Sequence, residues 1–465
     1  MSVRAVHRVG VPKNVWLYSG FALVSLIWFG LLASHLIHLP PDLSSDDAYF
    51  FARALTRFSI LDFSPHFPGY PAFVALGRLA LEIWPDPDVA LIRTTISATL
   101  LLPAAAAAVA WRWTGSLPAT GICFVLVLSQ PILSLVAMSG LSDSTGMLFL
   151  LGYFALLPDV AADKRRTAQT LLLCFAAGIA LGISGSARPS YALILLAAFL
   201  PVAFRSIHCA LAVIAGALAV AVPSLLVLVA LEGTNYFIEG WRFFKGHMFG
   251  WGNTVFAGRE QAGWSNVIQL SPLFACAVLL FAVLNACCLT RRPWPSRQMA
   301  LGASVLVAAV WTLFFQNPEN LRHLLPFLTL SSVLLAVHLP SVRGVPAASL
   351  FIIFLNAVVA LPGLLFPVTS RAPIAAAADV IDRIDGDVIV VTNRDVTYLR
   401  SRLETARVYD QRYPASARAA LSASGAQRVA ISRQPDASCA SSAYRNGRFF
   451  GEPGLWICMS KASPG

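Results

Sequence analysis

Apolar stretches of close to 20 residues recur along the chain and are separated by short polar connections. A helix of about 20 apolar residues can cross the roughly 30 Å hydrocarbon core of a bilayer. The first run is too long for the apolar region of a signal peptide and lacks a clear small-residue cleavage site, so we interpret it as a retained helix. The pattern predicts about eleven membrane spans, at residues 15–37, 89–110, 118–138, 143–160, 168–186, 189–204, 208–231, 266–289, 299–316, 321–338 and 345–367.

The first long polar segment, residues 44–71, holds the densest set of polar groups in the chain. Two carboxylates, Asp46 and Asp47, lie near its start. Helical spacing places Asp46 on one face with Arg53 and Arg57. This arrangement is either a surface salt-bridge row or a general base beside a phosphate clamp. Ser44 and Asp47 also fit a capping box, which is the alternative interpretation of the second carboxylate.

Two further segments have the composition of structures that lie at a membrane surface. Residues 72–84 predict a helix that is too short and too polar to span, with Trp84 as an interfacial anchor. Residues 232–265 form the longest loop of the membrane part and mix aromatic residues and glycines with Arg242, Lys245 and His247. Either an amphipathic interfacial helix or a loop that orders around a lipid headgroup or a sugar fits this composition.

Short turns between the predicted spans carry further polar residues. Arg188 lies in the turn 186–191, where it meets water, a lipid phosphate or a ligand anion, and interfacial snorkelling is the alternative. Arg322 and His323 stand at the start of a span, where a helix N-terminus favours an anion. Asp143 opens another span and either caps that helix or lines a site.

From about residue 371 the composition changes to that of a soluble domain. Predicted strands at 387–393, 406–410 and 427–432 alternate with predicted helices near 395–403 and 415–424, a pattern typical of a small α/β unit. We therefore divide the chain into a membrane domain, 1–370, and a C-terminal domain, 371–465. Cys439 and Cys458 lie in the C-terminal domain and can pair if that domain is exported into an oxidising compartment.

The chain is 57% hydrophobic and only 12% charged, whereas soluble domains carry roughly a quarter charged residues, so an ordinary soluble protein is excluded. The net charge of +11 does not indicate a nucleic-acid partner, because basic and acidic residues occupy alternate connections. The positive-inside rule then predicts a cytoplasmic N-terminus, and an odd number of spans predicts an extracytoplasmic C-terminal domain.

The basic residues assigned to the cytoplasmic side are Arg4, Arg8, Lys13, Arg112, Lys164, Arg165, Arg166, Arg205, Arg291, Arg292, Arg297 and Arg343, with only Asp159 and Asp163 as acids. The acids assigned to the opposite side are Asp42, Asp46, Asp47, Asp62, Glu82, Asp86, Asp88, Asp143, Glu232, Glu239, Glu260 and Glu319.

Four short motifs follow one another in a characteristic order. They are Asp46-Asp47-Ala48-Tyr49, His66-Phe67-Pro68-Gly69-Tyr70-Pro71, Ala187-Arg188-Pro189-Ser190 and Asn320-Leu321-Arg322-His323-Leu324-Leu325-Pro326. Together they resemble the motifs of the C-type (GT-C) polytopic glycosyltransferases that use polyprenyl-phosphate sugars. The resemblance is closer to the protein-mannosyltransferase-like and aminoarabinose-transferase-like branch. His323 departs from that branch's Arg-Tyr-Leu-Leu-Pro motif, which has tyrosine at this position.

The resemblance implies an α-helical polytopic membrane protein, in a bacterial inner membrane, with juxtamembrane helices in the first outside loop and a small C-terminal α/β domain. The implied reaction moves a sugar from a polyprenyl phosphate to a hydroxyl of a glycolipid, glycan or protein on the extracytoplasmic face, with inversion. No cofactor is expected, and no residue cluster has metal-ligand spacing. The resemblance does not by itself exclude a divalent metal.

The acceptor hydroxyl needs a general base, and a partly desolvated carboxylate suits that role. We assign the role to Asp46, with Asp47 next. The leaving phosphate needs cationic stabilisation. The residues expected to contact the donor's phosphate or sugar are Arg53, Arg57, His66, Tyr70, Arg188, Lys245, Arg322 and His323.

Two other classes share this hydropathy. A lipid or glycolipid transporter typically has charges at mid-span, discontinuous helices and internal repeats. Here the charges cluster in outside loops, and no repeat is detectable. An O-antigen polymerase-like enzyme would also use a lipid-linked sugar, but it lacks an acidic pair in an early loop. The pattern therefore favours the glycosyltransferase.

Overall fold

The computed structural model describes residues 15–159, 167–251, 254, 256, 264–290, 295–318, 320–339, 344–366, 371–424, 426–433, 439 and 441–460. The described helices of the membrane part are α1 (Val15–His38), α2 (Asp46–Thr56), α3 (Pro71–Leu81), α4 (Pro87–Thr114), α5 (Leu117–Leu128), α6 (Leu133–Ala137), α7 (Asp143–Leu156), α8 (Ala168–Ala187), α9 (Ala192–Arg205), α10 (Ile207–Glu232), α11 (Asn235–Lys245), α12 (Trp264–Leu270), α13 (Pro272–Leu289), α14 (Ser296–Val310), α15 (Leu325–His338) and α16 (Val345–Leu365). Short 3₁₀ turns (Pro189–Tyr191, Leu321–Leu324) precede α9 and α15, and π-helical turns (Gly246–Gly250, Trp311–Phe315) extend α11 and α14.

Eight of the described helical segments are long and apolar enough to cross a membrane, and each overlaps a predicted span. They are Gly20–His38, Pro87–Thr114, Ala168–Ala187, Ile207–Glu232, Pro272–Leu289, Ser296–Phe315, Leu321–His338 and Val345–Leu365. The predicted spans at 143–160 and 189–204 correspond to the shorter apolar helices α7 and α9. The prediction of one continuous helix over 118–138 is wrong. Helix α5 ends at Leu128, and Pro131, which has no N–H to donate, lies in the break before α6.

Close helix packing depends on small residues. A Cβ added to Gly178 of α8 would overlap the Val213 carbonyl of α10, and one added to Gly216 would overlap the Phe175 carbonyl. The two backbones are therefore in direct contact, as is common where small residues meet in membrane helices. In the segment Leu321–His338, 89% of the residues are buried, so this segment forms the centre of the bundle. Its first turn carries two of the predicted site residues, Arg322 and His323.

The C-terminal domain contains α17 (Pro373–Ile381), β1 (Val388–Thr392), α18 (Val396–Arg402), β2 (Arg407–Asp410), α19 (Pro414–Ser424), β3 (Gln427–Ser432), β4 (Ser441–Arg445) and β5 (Leu455–Ser460). The five strands form one sheet in the order β2-β1-β3-β5-β4. Strand β1 pairs in parallel with β2 and β3, whereas β5 runs antiparallel to β3 and β4. The three predicted strands and the α/β alternation are confirmed, while β4 and β5 were not predicted. A disulfide joins Cys439 to Cys458 in β5.

The C-terminal domain packs directly on the membrane helices. Phe450 contacts Phe274 of α13 edge-on at a ring distance of 5.1 Å. A Cβ added to Gly451 would lie 3.0 Å from the side chain of Leu321. Because buried apolar residues of both parts form one contiguous core, the boundary at residue 370 remains a prediction.

Three of the basic residues assigned to the cytoplasmic side lie near one another at one end of the bundle. Arg297 donates to the carbonyl of Trp113, next to Arg112, and Arg205 contacts the sulfur of Met299. The other basic residues of that set, together with Asp163, Glu260 and Glu319, lie outside the described residues.

Candidate active site

The acidic loop, which we define as residues 39–47, leads from α1 into α2. Ser45 Oγ accepts a hydrogen bond from the N–H of Ala48 at 3.3 Å, so Ser45 caps α2 and the helix begins at Asp46. The capping box predicted at Ser44 is therefore wrong by one residue. Since both aspartates lie in the first turn, the helix dipole favours their negative charge.

The two neighbouring carboxylates point in different directions. Asp46 Oδ1 accepts a hydrogen bond of 2.7 Å from the N–H of Tyr398, at the start of α18. Burial raises the pKa of Asp46, although the backbone N–H groups of α18 oppose the shift. Asp47 instead lines a cavity, where its Oδ2 lies 3.9 Å from Nη2 of Arg322. The Asp47 side chain is 47% exposed, so it is the carboxylate that a ligand can reach.

The cavity has a volume of about 430 Å³ and lies between the membrane part and the C-terminal domain. Its lining comes from the acidic loop, helix α6 and the turn after it, Trp251, the turn before α15 and the C-terminal domain. Polar groups from these parts include Ser44, Asp47, Asn320, Arg322, Arg394 and Glu452. A cavity of this size accommodates a small-molecule ligand such as a sugar.

A buried ion pair lies between the start of α7 and the end of α8. Arg188 Nη2 is 2.8 Å from Asp143 Oδ1, and the two side chains are 10% and 1% exposed. The Tyr191 hydroxyl donates to the Asp143 carbonyl at 3.1 Å. Asp143 therefore acts as the counter-ion of Arg188, and its carboxylate oxygens make no helix-capping hydrogen bond. A buried charge that loses its partner is strongly destabilising, so each residue requires the other.

Gly146 of α7 makes room for Arg188. A Cβ at position 146 would lie 2.5 Å from the Arg188 Cβ and 3.2 Å from the Tyr191 ring. We expect Gly146→Ala to cost about 1–3 kcal/mol, because overpacking forces Arg188 away from Asp143. Gly152→Ala on the same helix is the matched control, since its Cβ would meet only Ala180 at 3.8 Å. Thermal unfolding in detergent measures both, and equal midpoints for the two variants would contradict the expectation.

His66 and Tyr70 form an aromatic layer behind Asp47. The His66 Nδ1 lies 2.8 Å from the Phe67 carbonyl oxygen and donates to it, and the ring stacks on Phe243 at 4.8 Å. Burial lowers the pKa of His66, so the ring is neutral at pH 7 and Nε2 remains an acceptor. Burial also raises the pKa of Tyr70, which keeps its hydroxyl protonated.

Tyr70 adopts a left-handed backbone conformation with φ of +48° at the start of α3. Few residues other than glycine adopt this conformation, and it persists where the surroundings fix it. Here the ring packs edge-on against Phe51 at 4.9 Å and against His66 at 5.0 Å. The strained residue is therefore held by the same aromatic layer that it helps to form.

No protein-family model matches this chain, and no curated protein matches it. Solved structures do match. ArnT from Cupriavidus metallidurans bound to undecaprenyl phosphate has a TM-score of 0.55 and 14% identity, with 97% of this chain and 99% of that chain covered. The Archaeoglobus fulgidus oligosaccharyltransferase in the apo form has a TM-score of 0.53 and 14% identity, with coverage of 90% and 70%. AglB from Archaeoglobus fulgidus, in complex with an inhibitory peptide and a dolichol-phosphate, has a TM-score of 0.52 and 12% identity, again with coverage of 90% and 70%.

The chain has the GT-C fold. The predicted α-helical polytopic fold is thereby confirmed, including the two short helices α2 and α3 that follow the first span, whereas the number of about eleven spans stays a prediction. Identities of 12–15% to the solved structures leave the chemistry to be argued from the site itself.

Within this GT-C fold, six of the predicted site residues lie in one neighbourhood. The charges of Asp47, Arg188 and Arg322 all act on both His66 and Tyr70. His323 lies within the fields of Arg188 and Arg322, and its Nδ1 is buried with no hydrogen-bond partner among the described residues. The six residues are Asp47, His66, Tyr70, Arg188, Arg322 and His323.

Three predicted donor-binding residues lie elsewhere. Arg53 and Arg57 both pair with Asp62, at 3.9 and 2.9 Å, and Arg57 is 74% exposed. Helical spacing placed them on the face of Asp46, but the segment after α2 folds back and supplies this other partner. Lys245 lies over the Trp241 ring at 5.1 Å, on an exposed face of α11. The structure does not bring these three cations to the cavity.

The structure also adds residues that the sequence did not single out as site residues. Asp143 was left open as a cap or a site residue, and its pairing with Arg188 joins two turns that are distant in the chain. His247 was only one member of a basic and aromatic loop, yet the charges of Arg188, Asp47 and Arg322 act on it. Tyr191 comes directly after the motif that contains Arg188, and this position was the sequence signal that could have indicated Tyr191 as a site residue. Among the described residues, no group of three or more His, Cys, Asp or Glu lies close enough to hold a metal ion.

Proposed function

We propose that the chain is a membrane glycosyltransferase that moves a sugar from a polyprenyl-phosphate donor to an acceptor hydroxyl. The observation that carries this proposal is the placement of Asp47 beside Arg322 on the wall of one cavity. A carboxylate that accepts a proton and a guanidinium that binds a phosphate are the two groups that this reaction needs. The likeness to ArnT, bound to undecaprenyl phosphate, and to AglB, in complex with a dolichol-phosphate, supports the choice of donor.

In the proposed reaction, Asp47 takes the proton of the acceptor hydroxyl as its oxygen forms a bond to the anomeric carbon. The bond from that carbon to the phosphate oxygen breaks, and the lipid phosphate leaves with the electron pair. Arg322 donates hydrogen bonds to the departing phosphate and offsets the charge that builds on it. Attack opposite the leaving group inverts the configuration at the anomeric carbon.

Asp47 replaces Asp46 as the first candidate for the base. The Asp46 carboxylate accepts a hydrogen bond from the backbone at the start of α18 and is absent from the described lining of the cavity. A carboxylate held in that way has no direct route to an acceptor hydroxyl. Asp47 has the exposure and the cationic neighbour that the role requires.

In this proposal, three residues influence the site without lining the cavity: Arg188, His66 and Tyr70. Arg188 is held by Asp143 and contributes positive potential toward the phosphate position without touching the cavity. His66 and Tyr70 are neutral and buried, so they shape the site without competing for the phosphate's charge.

We further propose that the cavity opens on the extracytoplasmic face of a bacterial inner membrane. The disulfide between Cys439 and Cys458 supports this orientation, because disulfides persist in oxidising compartments. The grouping of Arg112, Arg205 and Arg297 at one end of the bundle supports a cytoplasmic location for that end. The acceptor is a glycolipid, a glycan or a protein.

Sugar transfer in membranes tests the proposal. Membranes that lack the endogenous protein receive labelled polyprenyl-phosphate sugars and either the natural chain or Arg322→Ala. We expect transfer by the natural chain and a loss of about 10²-fold or more in Arg322→Ala, comparable to removal of one transition-state donor. Arg418→Ala, on the exposed helix α19, is the matched control and retains transfer. Equal transfer by the Arg322→Ala and natural chains would overturn the proposed phosphate contact.

A further inference from the structure

We propose that the C-terminal domain positions the catalytic carboxylate by clasping the acidic loop, with Asp46 and Asp395 as positioning residues. The catalytic part of this inference rests on the function proposed above. The clasp consists of three contacts between the C-terminal domain and the acidic loop, at Pro40, Asp42 and Asp46. Each contact is a hydrogen bond or an ion pair, and the three are described below in the order of the chain.

The first contact is made by a buried arginine. Arg448 Nη1 donates to the carbonyl oxygen of Pro40 at 3.2 Å. The rest of the guanidinium is held by Glu452, with Arg448 Nη2 2.8 Å from Glu452 Oε1 and side chains that are 0% and 3% exposed. Because the guanidinium is locked in this way, its remaining donor fixes the start of the acidic loop.

The second contact lies at the start of α17. Asp42 Oδ1 is 2.8 Å from Arg371 Nη2, and Asp42 Oδ2 accepts a hydrogen bond from the N–H of Ala372 at 3.0 Å. Both oxygens of one side chain are therefore bound by two consecutive residues of the C-terminal domain. Asp379 binds the same guanidinium at 2.8 Å and holds it in place.

The third contact is reciprocal, since each of two helices receives a carboxylate from the other. Asp46 Oδ1 accepts from the N–H of Tyr398, 2.7 Å away at the start of α18. Asp395 Oδ1 accepts from the N–H of Asp46, 3.0 Å away at the start of α2. A carboxylate at a helix N-terminus satisfies a free N–H and is favoured by the helix dipole. Asp395 has a φ of +47°, a conformation that this contact helps to hold.

Asp47 follows Asp46 directly, so the clasp sets where its side chain points. The N–H of Asp46 donates to Asp395, and the Asp46 carboxylate accepts from the N–H of Tyr398. Ser45 caps the same helix by accepting from the N–H of Ala48. With these contacts made, Asp47 is directed to the cavity and to Arg322. If they were lost, the first turn of α2 would fray and the direction of the Asp47 carboxylate would no longer be fixed.

The third contact also responds to pH. Burial, and then the charge of Asp46, raise the pKa of Asp395 to about 7. Burial likewise raises the pKa of Asp46. The other charged groups that act on this pair are Arg394 and Arg433 at Asp395, and Asp47 and Arg412 at Asp46.

We call the clasp closed when the third contact is made and open when it is broken. Asp395 has a pKa of about 7 in the closed clasp and the ordinary carboxyl pKa of about 3.9 in the open one. Between these two pH values, the closed clasp therefore binds more protons than the open one. The stability from this protonation is present at low pH and is lost as the pH rises through about 7. For a pKa of about 7, the equilibrium constant for opening rises about tenfold between pH 6 and pH 8.

Amide hydrogen exchange of the intact chain in lipid nanodiscs tests the clasp without relying on sugar transfer. In Asp395→Ala we expect exchange in residues 39–50 to rise about fivefold, the usual effect of losing a helix cap. At pH 6, where Asp395 is mostly protonated, Asp395→Asn keeps an oxygen acceptor of the same charge, so its exchange stays close to that of the natural chain. Asp385→Ala, at an exposed position in the same domain, is the matched control. Unchanged exchange in Asp395→Ala would overturn the clasp.

Steady-state transfer then separates positioning from a purely structural role. Asp395→Ala lowers kcat about fivefold with an unchanged KM for the donor, and Asp395→Asn restores kcat. A fall in kcat that Asp395→Asn does not rescue would overturn the positioning role. If the natural chain transfers no sugar, the proposed function fails, while exchange still decides whether the clasp exists.

The pH dependence of exchange in the natural chain is a further test, and it does not depend on the folding of Asp395→Ala. Exchange of residues 39–50, corrected for intrinsic chemistry, rises about tenfold from pH 6 to pH 8, and Asp395→Asn removes this dependence. Exchange that is independent of pH in the natural chain would contradict the assigned titration.

Discussion

Asp47→Asn reduces sugar transfer by about 10³-fold, the middle of the range that a general base contributes. Asparagine keeps the size and the hydrogen-bonding oxygen of the side chain but cannot accept the proton of the acceptor hydroxyl. The fold should survive, because the Asp47 side chain is 47% exposed and its distance to Arg322 is 3.9 Å, too long for a strong structural ion pair. The measurement is the single-turnover rate with saturating labelled polyprenyl-phosphate sugar.

Two matched variants make this result specific to Asp47. Asp385→Asn carries the same substitution at an exposed position far from the acidic loop in sequence and retains the natural rate. Asp46→Asn keeps an oxygen for the N–H of Tyr398, so we expect a loss of no more than about fivefold. A large loss in Asp46→Asn with full activity in Asp47→Asn would move the base by one residue and contradict the assignment made from the cavity.

Asp143→Ala destabilises the folded protein by about 3–5 kcal/mol, because it leaves Arg188 buried without a counter-ion. The Arg188 side chain is only 10% exposed, so water cannot replace the lost carboxylate. The apparent midpoint of thermal unfolding in detergent, followed by tryptophan fluorescence, measures the loss. Transfer should fall as well, since an Arg188 that lacks Asp143 is no longer held behind the cavity.

A double variant separates the effect of losing a charge partner from the effect of losing packing. The variant Asp143→Leu with Arg188→Met removes both charges at similar volume, and replacing a buried pair in this way is often neutral or stabilising. We therefore expect the double variant to unfold at a higher temperature than Asp143→Ala. If it were less stable than Asp143→Ala, the ion pair would not be the source of the loss.

The hydropathy pattern was enough to locate the long membrane helices, because about 20 apolar residues have few other uses in a folded chain. It could not show where a helix stops inside an apolar run. Residues 118–138 form two helices because Pro131 and its polar neighbours Ser129 and Gln130 leave a turn inside the bundle. Strand β4, with the sequence SSAYR, has little apolar patterning and forms only because it pairs with β5.

The sequence predicted only part of the set of residues that meet in the candidate site, and it did not predict the directions in which their side chains point. Motif order grouped Asp47, His66 and Arg322 correctly within one neighbourhood. The choice between Asp46 and Asp47 depended on Tyr398, which is 352 residues further along the chain. The same limit applied to Arg57, because its pairing with Asp62 requires a turn after α2 that spacing rules do not specify.

The reciprocal contact between Asp46 and α18 also bears on biosynthesis. Asp46 lies at the start of α2, directly after the first span, and its partners Asp395 and Tyr398 are synthesised only after every membrane helix of the described chain. A nascent chain that has just completed α16 therefore holds all of the described spans and an unfinished site. Under the proposed function, sugar transfer would begin only once the elements from α17 to β5 had been synthesised and folded, so partly assembled protein in the membrane would stay inactive.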